Sequence, residues 1–282
     1  VKAPLFRTAA ALLRAVGPGT GFVPTMGALH AGHLALVRRA RRLHRRVVVS
    51  IFVNPTQFGP GEDFDRYPRD LDGDRRLLAA IPGVVVYAPA VEEIYPSGFA
   101  TTVRVGGTLG SELEARFRPG HFDGVATVVA RLFALVRPLR AYFGLKDYQQ
   151  FRVVKRMRDD LGLPVGLTAC PTVRERDGLA LSSRNRYLSP QERLRATALF
   201  RALRAARALA ERGERSAARL EAAGLRVLRA EGGLKIQYFT LADAVDLAPL
   251  RRLDRPAVLA TACLLGRTRL IDNLLLRPSV RS

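Results

Sequence analysis

The chain has no tryptophan, two cysteines, two methionines and four histidines among its 282 residues. Each scarcity excludes something. Cys170 and Cys263 are too few for the disulfide framework of a small secreted domain. Both fall in apolar, strand-like runs and are expected as buried thiols in a reducing compartment. No Cys/His cluster has the spacing of a zinc site. No apolar run is long enough to cross a bilayer, and Val1-Lys2-Ala3-Pro4 lacks the apolar core of a secretion signal, so a cytoplasmic protein with no membrane partner is expected. Lysine is also scarce, limited to Lys2, Lys146, Lys155 and Lys235, yet Lys and Arg together number 46 against 25 Asp and Glu, a net charge of +21. Such a balance ordinarily signals a polyanion partner. Here the arginines are spread along the whole chain between Ala and Leu. The densest cluster (Arg38, Arg39, Arg41, Arg42, Arg45, Arg46) reads as a solvated helix face, and no nucleic-acid motif accompanies it, so no nucleic-acid partner is expected.

Two of the four histidines lie in one stretch, Gly21-Phe22-Val23-Pro24-Thr25-Met26-Gly27-Ala28-Leu29-His30-Ala31-Gly32-His33. A short apolar run, a Gly-containing turn and then an amphipathic run (Leu34, Leu36, Val37, Ala40, Leu43) predict strand, tight turn and a helix from 33 to about 46. The first N–H groups of a helix lack intrahelical partners and sit at the positive end of its dipole, which suits a phosphate. Gly27 and Gly32 allow close approach of a ligand to the backbone. His30 and His33, three apart, share a face and can donate hydrogen bonds to a polyphosphate. Val47 to Val53 is apolar and β-branched, as in a buried parallel strand. Strand, helix, strand at this spacing is a βαβ unit and predicts an open α/β sheet. Asn54 and Gln57 follow that strand, on the side where such sheets bind ligands.

Further along, residues 5–16 predict a short helix, 70–81 another, 84–89 a strand and 101–105 a short strand. Arg116-Phe117-Arg118-Pro119-Gly120-His121-Phe122-Asp123-Gly124-Val125 precedes a helix over 125–136, and Arg118 or His121 can face an anion there. Ala141 to Gly144 is a strand leading into Leu145-Lys146-Asp147-Tyr148-Gln149-Gln150. A point ammonium at Lys146 suits a phosphate oxygen, and Asp147 can be a plain N-cap. A helix over 149–161 and a strand over 164–171 follow. Ser182, Ser183 and Arg184, in the run Asp177-Gly178-Leu179-Ala180-Leu181-Ser182-Ser183-Arg184-Asn185, can wrap a triphosphate. Beyond residue 173 the composition shifts to Ala/Leu/Arg/Glu-rich helices (190–212, 216–231) and then strands at 236–240, 257–265 and 269–273. That reads as a Rossmann-like open parallel sheet with a smaller C-terminal α+β domain.

These motifs, in this order, resemble the pantothenate synthetase family (pantoate–β-alanine ligases) of the H-x-G-H nucleotidyltransferases. The resemblance rests on P-T-M-G-x-L-H-x-G-H, N-P-x-Q-F, R-P-G-H-F-x-G-V, K-D-x-Q-Q, D-G-L-A-L-S-S-R-N-x-Y-L and the final T-R-L-I-D-N. It implies a nucleotide- and pantoate-binding domain over residues 1–172 and a smaller lid domain over 173–282. It also implies a two-step reaction: ATP and pantoate form pantoyl adenylate and pyrophosphate, and β-alanine then displaces AMP. By resemblance, ATP falls to Met26, Gly27, His30, Gly32, His33, Gly144, Lys146, Asp147, Val173, Leu181, Ser182, Ser183 and Arg184. Mg2+ is expected with the triphosphate. Gln57, Gln150, Asn54 and Met26 fall to pantoate and β-alanine, and His33, His30, Lys146 and Arg184 carry catalysis. A homodimer is implied as well. The family usually has Gly-Glu-Lys-Asp where this chain has Gly144-Leu145-Lys146-Asp147, and Glu-Gly where it has Glu114-Ala115. The missing carboxylate beside Lys146 either weakens its positioning or, if that Glu only supports packing, leaves activity intact. Two other readings stand beside this one: a different transferase of the superfamily acting on a phosphate monoester, and a basic nucleic-acid-binding protein.

Overall fold

The structure, a computed structural model, describes residues 2–278. In chain order its elements are β1 (Leu5–Phe6), α1 (Ala9–Val16), β2 (Gly21–Thr25), α2 (Ala31–Arg41), β3 (Val47–Ile51), α3 (Leu71–Ala79), β4 (Val84–Tyr87) and α4 (Val91–Ile94). Then come α5 (Thr108–Ser111), α6 (Glu114–Phe117), α7 (His121–Val136), β5 (Arg140–Gly144), α8 (Tyr148–Asp160) and β6 (Gly166–Cys170). The chain closes with α9 (Pro190–Ala196), α10 (Ala198–Glu211), α11 (Ala217–Glu231), β7 (Leu234–Asp243), β8 (Ala257–Leu265) and β9 (Thr268–Leu276). Single 3-10 turns cover Pro55–Gln57, Leu145–Asp147 and Ser183–Tyr187.

Six strands form a parallel sheet in the order β1-β4-β3-β2-β5-β6. Valines dominate β3 and β4 because both faces of a parallel sheet are covered, and Val47, Val48, Val49 and Val86 are fully buried. The order reverses between β2 and β5, and there the ladder is short. Only Gly21 and Phe22 of β2 pair with β5, whereas β2 pairs with β3 through Thr25 and β5 with β6 through Gly144. The two strands therefore part toward their carboxyl ends, the switch point at which open α/β sheets bind ligands. A separate antiparallel meander, β7-β8-β9, packs against α10 and α11 through a core that includes Leu199, Leu203, Leu220, Phe239 and Leu259.

The chain divides into two compact units: residues 1–105, 118–145 and 150–171, and residues 106–117, 146–149 and 172–282. The main division falls after Pro171, but two short inner segments cluster with the second unit, unlike a single cut at residue 172. Gln149 accounts for one of these links. It is 5% exposed, accepts from Glu114 N–H (2.9 Å) and donates to the carbonyls of Leu109 (2.9 Å) and Glu112 (2.8 Å). Glu114 in turn pairs with Arg269 of β9 and accepts from the Tyr238 hydroxyl of β7 at 2.5 Å.

Four local expectations need correction. Leu5–Phe6 is an edge strand beside β4, because Pro4 and Phe6 carbonyls accept from Val86 and Ala88 N–H. Residues 101–105 form no strand; Val103 N–H is instead taken by Thr127 Oγ1 of α7 at 2.9 Å. The helix expected over 190–212 is two helices, α9 ending at its C-cap Thr197 and α10 starting at Ala198. α2 starts at Ala31, about half a turn before the expected residue 33, and α7 at His121, about a turn before residue 125.

Candidate active site

The first unit carries the site at the carboxyl ends of β2 and β3. Thr25, last residue of β2, donates to Ser50 O (2.6 Å) and accepts from Gly27 N–H (3.1 Å), so the chain turns immediately. Gly27 adopts φ +85 and Ala28 φ +50. His30 is the N-cap of α2 in extended backbone, and its Nδ1 accepts from Gly32 N–H at 3.1 Å. His33 reciprocates from the third helical position, its Nδ1 accepting from His30 N–H at 3.4 Å. This is a capping box in which two imidazoles take the roles usually held by Ser and Glu. A ring nitrogen that accepts carries no proton, so each neutral ring carries its proton on Nε2. Two Nε2–H donors are thereby set side by side, with ring centroids 4.1 Å apart.

That geometry revises how Gly27 and Gly32 act. They were expected to allow a ligand close to the backbone, and the first helical N–H groups to suit a phosphate. Gly27 N–H goes to Thr25, Gly32 N–H to His30, and Ala28 and Leu29 N–H to the carboxylate of Asp74 (2.9 and 2.7 Å). Asp74 is a residue that sequence reading missed: it lies within a helical pattern and carries no motif.

After β3, Asn54 caps the turn Pro55–Gln57 and is 1% exposed. Its amide donates to Gln57 Oε1 (3.2 Å) and Gly124 O (3.1 Å), and its carbonyl oxygen accepts from Tyr95 OH (2.8 Å) and from Thr56 Oγ1 (3.0 Å) and N–H (3.4 Å). Burial raises the Tyr95 pKa, which keeps that hydroxyl a donor. Both amide protons and the oxygen of Asn54 are thus engaged inside the protein, and one of its bonds holds the Gln57 side chain. Gln57 donates from Nε2 to Met26 Sδ at 3.2 Å, which joins this turn to the one after β2. Helix α7 can come this close only because Gly124 has no side chain, since a Cβ there would lie 2.4 Å from Thr56 O.

Arg118 and His121, either of which could face an anion by sequence, are engaged with protein groups. Arg118 forks onto Glu62 (Nε–Oε1 2.7 Å, Nη2–Oε2 2.6 Å) and donates from Nη1 to His121 Nε2 at 3.0 Å. His121 Nδ1–H then donates to Gln57 O at 2.8 Å. Burial works against the Glu62 charge, but the Arg118 guanidinium outweighs it and holds the carboxyl below its usual range. The chain Glu62, Arg118, His121 supports the backbone of Gln57. Gly144 ends β5, and Gln150 lies half-buried on α8 in the same unit.

The second unit holds the other expected ATP residues. Lys146 Nζ lies 3.4 Å from Asp147 Oδ1, and its carbonyl accepts from Asn273 Nδ2 of β9 at 2.8 Å. Val173 and Leu181 face each other across a hairpin, with Leu181 N–H on Val173 O at 3.0 Å. Arg174 anchors that hairpin by a two-pronged pair with Asp272 (2.6 and 2.8 Å) and lies 4.0 Å from the Phe200 ring centroid. Ser182 caps the following turn, its Oγ accepting from Arg184 N–H at 3.3 Å, and Ser183 is buried. Among the described residues no group of three or more His, Cys, Asp or Glu is placed to hold a metal ion, and no helix is long and apolar enough to cross a membrane.

A parallel sheet with an H-x-G-H turn at its switch point defines a Rossmann-like nucleotidyltransferase. Comparison with known proteins narrows this class. The sequence model of the pantoate-beta-alanine ligase family matches residues 3–275. Pantothenate synthetase of Rubrobacter xylanophilus is 57% identical over 267 residues, 92% of this chain and 92% of that protein. Its counterpart in Thermus thermophilus is 56% identical over 268 residues, 94% of this chain and 97% of that protein. A crystal structure of pantothenate synthetase from that organism matches with TM-score 0.94 and 54% identity, over 98% of this chain and all 100% of that one. Pantoate-beta-alanine ligase from Francisella tularensis, solved with beta-gamma ATP and beta-alanine, matches with TM-score 0.80 and 32% identity over 98% and 100%. The chain belongs to the pantoate-beta-alanine ligase family, whose members join pantoate to β-alanine in pantothenate biosynthesis.

Proposed function

We propose that the chain condenses pantoate with β-alanine through pantoyl adenylate, using these residues in these roles. A pantoate carboxylate oxygen attacks the α-phosphorus of ATP, the bond to the β-phosphate oxygen breaks, and pyrophosphate leaves. The amine of β-alanine then attacks the acyl carbon, and AMP leaves with the bonding pair. A carboxylate is a poor nucleophile and the triphosphate repels it, so the protein must align the two and neutralise charge. His30 and His33 supply Nε2–H donors to the phosphates, with Lys146, Ser182, Ser183 and Arg184. Gly144 and Asp147 take the ribose, and backbone near Val173 and Leu181 takes the adenine side. Gln57 and Gln150 hold pantoate, with Met26 beside them and Asn54 orienting Gln57. Mg2+ enters as part of the nucleotide substrate. Residues 1–172 serve as the nucleotide and pantoate domain and 173–282 as a lid. The reading also takes the enzyme to be a cytoplasmic homodimer.

The observation that carries this reading is the reciprocal capping of His30 and His33, which leaves two preset Nε2–H donors after the switch-point strand. The test follows ATP turnover with purified protein. Pantoate alone should support exchange of labelled pyrophosphate into ATP. AMP should accumulate, one per pantothenate, only when β-alanine is also present. Pyrophosphate release without AMP in the complete mixture would assign the chain to a different transferase, and absence of any reaction would sink the proposal.

A further inference from the structure

Asp74 belongs to none of the motifs, yet it is 3% exposed and its carboxylate takes two consecutive backbone amides of the turn after β2. It is not the cap of its own helix. That role falls to Asp70, whose Oδ1 accepts from Gly73 N–H at 2.8 Å, while Asp74 N–H makes an ordinary helical bond to Asp70 O at 2.9 Å. The Asp74 side chain instead leaves α3 and binds a segment 45 and 46 residues earlier, at Leu29 and Ala28. That segment needs holding. Ala28 is one of four described non-glycine residues with positive φ, and Gly27 before it sits at +85, where a Cβ would lie 3.0 Å from Asp74 Oδ2. The next residue after the two bound amides is His30. A negative charge beside an anion-handling turn opposes anion binding, so its presence there calls for a compensating role, and the two charge-assisted bonds supply one.

We infer that Asp74 is a positioning residue for adenylation: it locks the Gly27–Leu29 turn and thereby fixes where His30 and His33 present their Nε2–H donors. This rests on the proposed role of the two imidazoles toward phosphate. Asp74→Asn keeps one acceptor but turns an NH2 group toward the second amide, so the turn loses one of its two clamps.

A double-mutant cycle with His33→Ala, read by pantoate-dependent pyrophosphate exchange, separates positioning from mere support of the fold. In the otherwise native chain, Asp74→Asn should lower the exchange kcat by about 10²-fold, as expected for slight misplacement of catalytic donors. The pantoate KM should hardly change. Added to His33→Ala, the same substitution should cost distinctly less, because one of the two donors it positions is gone. The inference is overturned if Asp74→Asn leaves kcat intact, or if it lowers kcat by the same factor in both backgrounds. Should Asp74→Asn not fold by circular dichroism, Gly27→Ala displaces the same turn from the other side and runs through the same cycle with the same two outcomes. Failure of the underlying reading is visible separately, as a native chain that catalyses no exchange.

Discussion

The two turns assigned to phosphate are built differently. At residues 25–33 five amides (27, 28, 29, 30 and 32) already have side-chain partners, one of which reaches across from α3. At residues 180–188 the bonds described are to near neighbours: Arg184 N–H to Ser182 Oγ, Asn185 N–H to Ser182 O, Asn185 Nδ2 to Ala180 O, Leu188 N–H to Asn185 O, and Leu181 N–H across the hairpin to Val173 O. A turn tied to distant elements holds its donors before substrate arrives, and preset donors need no reorganisation as charge develops. A turn built on short-range bonds can rearrange around a ligand, and the ordering then draws on binding energy. The contrast teaches that the same ligand chemistry can be divided between a fixed and an adaptable element. Substitutions in the first should then appear in kcat, and those in the second in KM for ATP.

The largest effect should come from His33. His33→Ala removes an Nε2–H donor and the acceptor that caps His30 N–H, and kcat for adenylation should fall by about 10²- to 10³-fold, the range for loss of one preset donor. His33→Asn sharpens the comparison. Its side-chain oxygen can still cap His30, but nothing replaces Nε2–H, so kcat should fall nearly as far. If His33→Asn retains native kcat, the turn needs only its cap and the donor role is wrong. Arg184→Ala should act on the adaptable turn, raising KM for ATP about tenfold with a smaller change in kcat, the pattern of lost ground-state binding. A loss confined to kcat would erase the distinction between the two turns.

Acid should act on the support beneath Gln57. The Glu62 carboxyl is held below its usual 4.5 by Arg118 despite burial, and the pair supports Gln57 through His121. A carboxyl whose folded pKa is depressed adds stability that is fully present above its unfolded value and lost as pH falls through the lowered folded value. Native protein should therefore lose stability as pH drops from about 4.5 downward, and Glu62→Gln should flatten that part of the curve. Denaturant unfolding at several pH values would read it. Identical slopes for the two proteins would show that the pair contributes nothing to acid sensitivity.

Much of this was legible in sequence because it is local. The βαβ order, the helix over 125–136 and the histidine spacing are all set by neighbours within a few residues. What escaped is set by partners far along the chain. Asp74 reads as one more acidic residue in the first turn of a helix, and nothing nearby says that its carboxylate leaves that helix for Ala28 and Leu29. Arg118 and His121 have the chemistry to bind an anion, and only the folded chain supplies Glu62 and Gln57 O as their partners. Gln149 and Gln150 are indistinguishable by type, but successive helix positions point about 100° apart, and it is Gln149 that clips α5 and α6 to the start of α8. The two-residue strand β1 carries too little pattern to be seen and exists because β4 offers it an edge.

The smallest expected effect concerns Leu145, which stands where the family usually has Glu. It opens the 3-10 turn Leu145–Asp147, whose lysine already has one carboxylate 3.4 Å away, with side-chain exposures of 19% for Lys146 and 48% for Asp147. A half-exposed pair of this length restrains an ammonium weakly, and a second carboxylate at 145 would add one more restraint of the same modest kind. Partly exposed ion pairs are worth about 0.2–1 kcal/mol, which converts to roughly 1.4- to 5-fold in rate if all of it steadies Lys146 in the transition state. Leu145→Glu should accordingly raise kcat/KM for ATP within that range, and the gain should shrink at high salt as exposed charges are screened. An unchanged kcat/KM would show that Asp147 and the Asn273 bond to the Lys146 carbonyl already hold the turn. A fall would show that a second carboxylate draws Lys146 away from phosphate, which would make the apolar residue an advantage at this position.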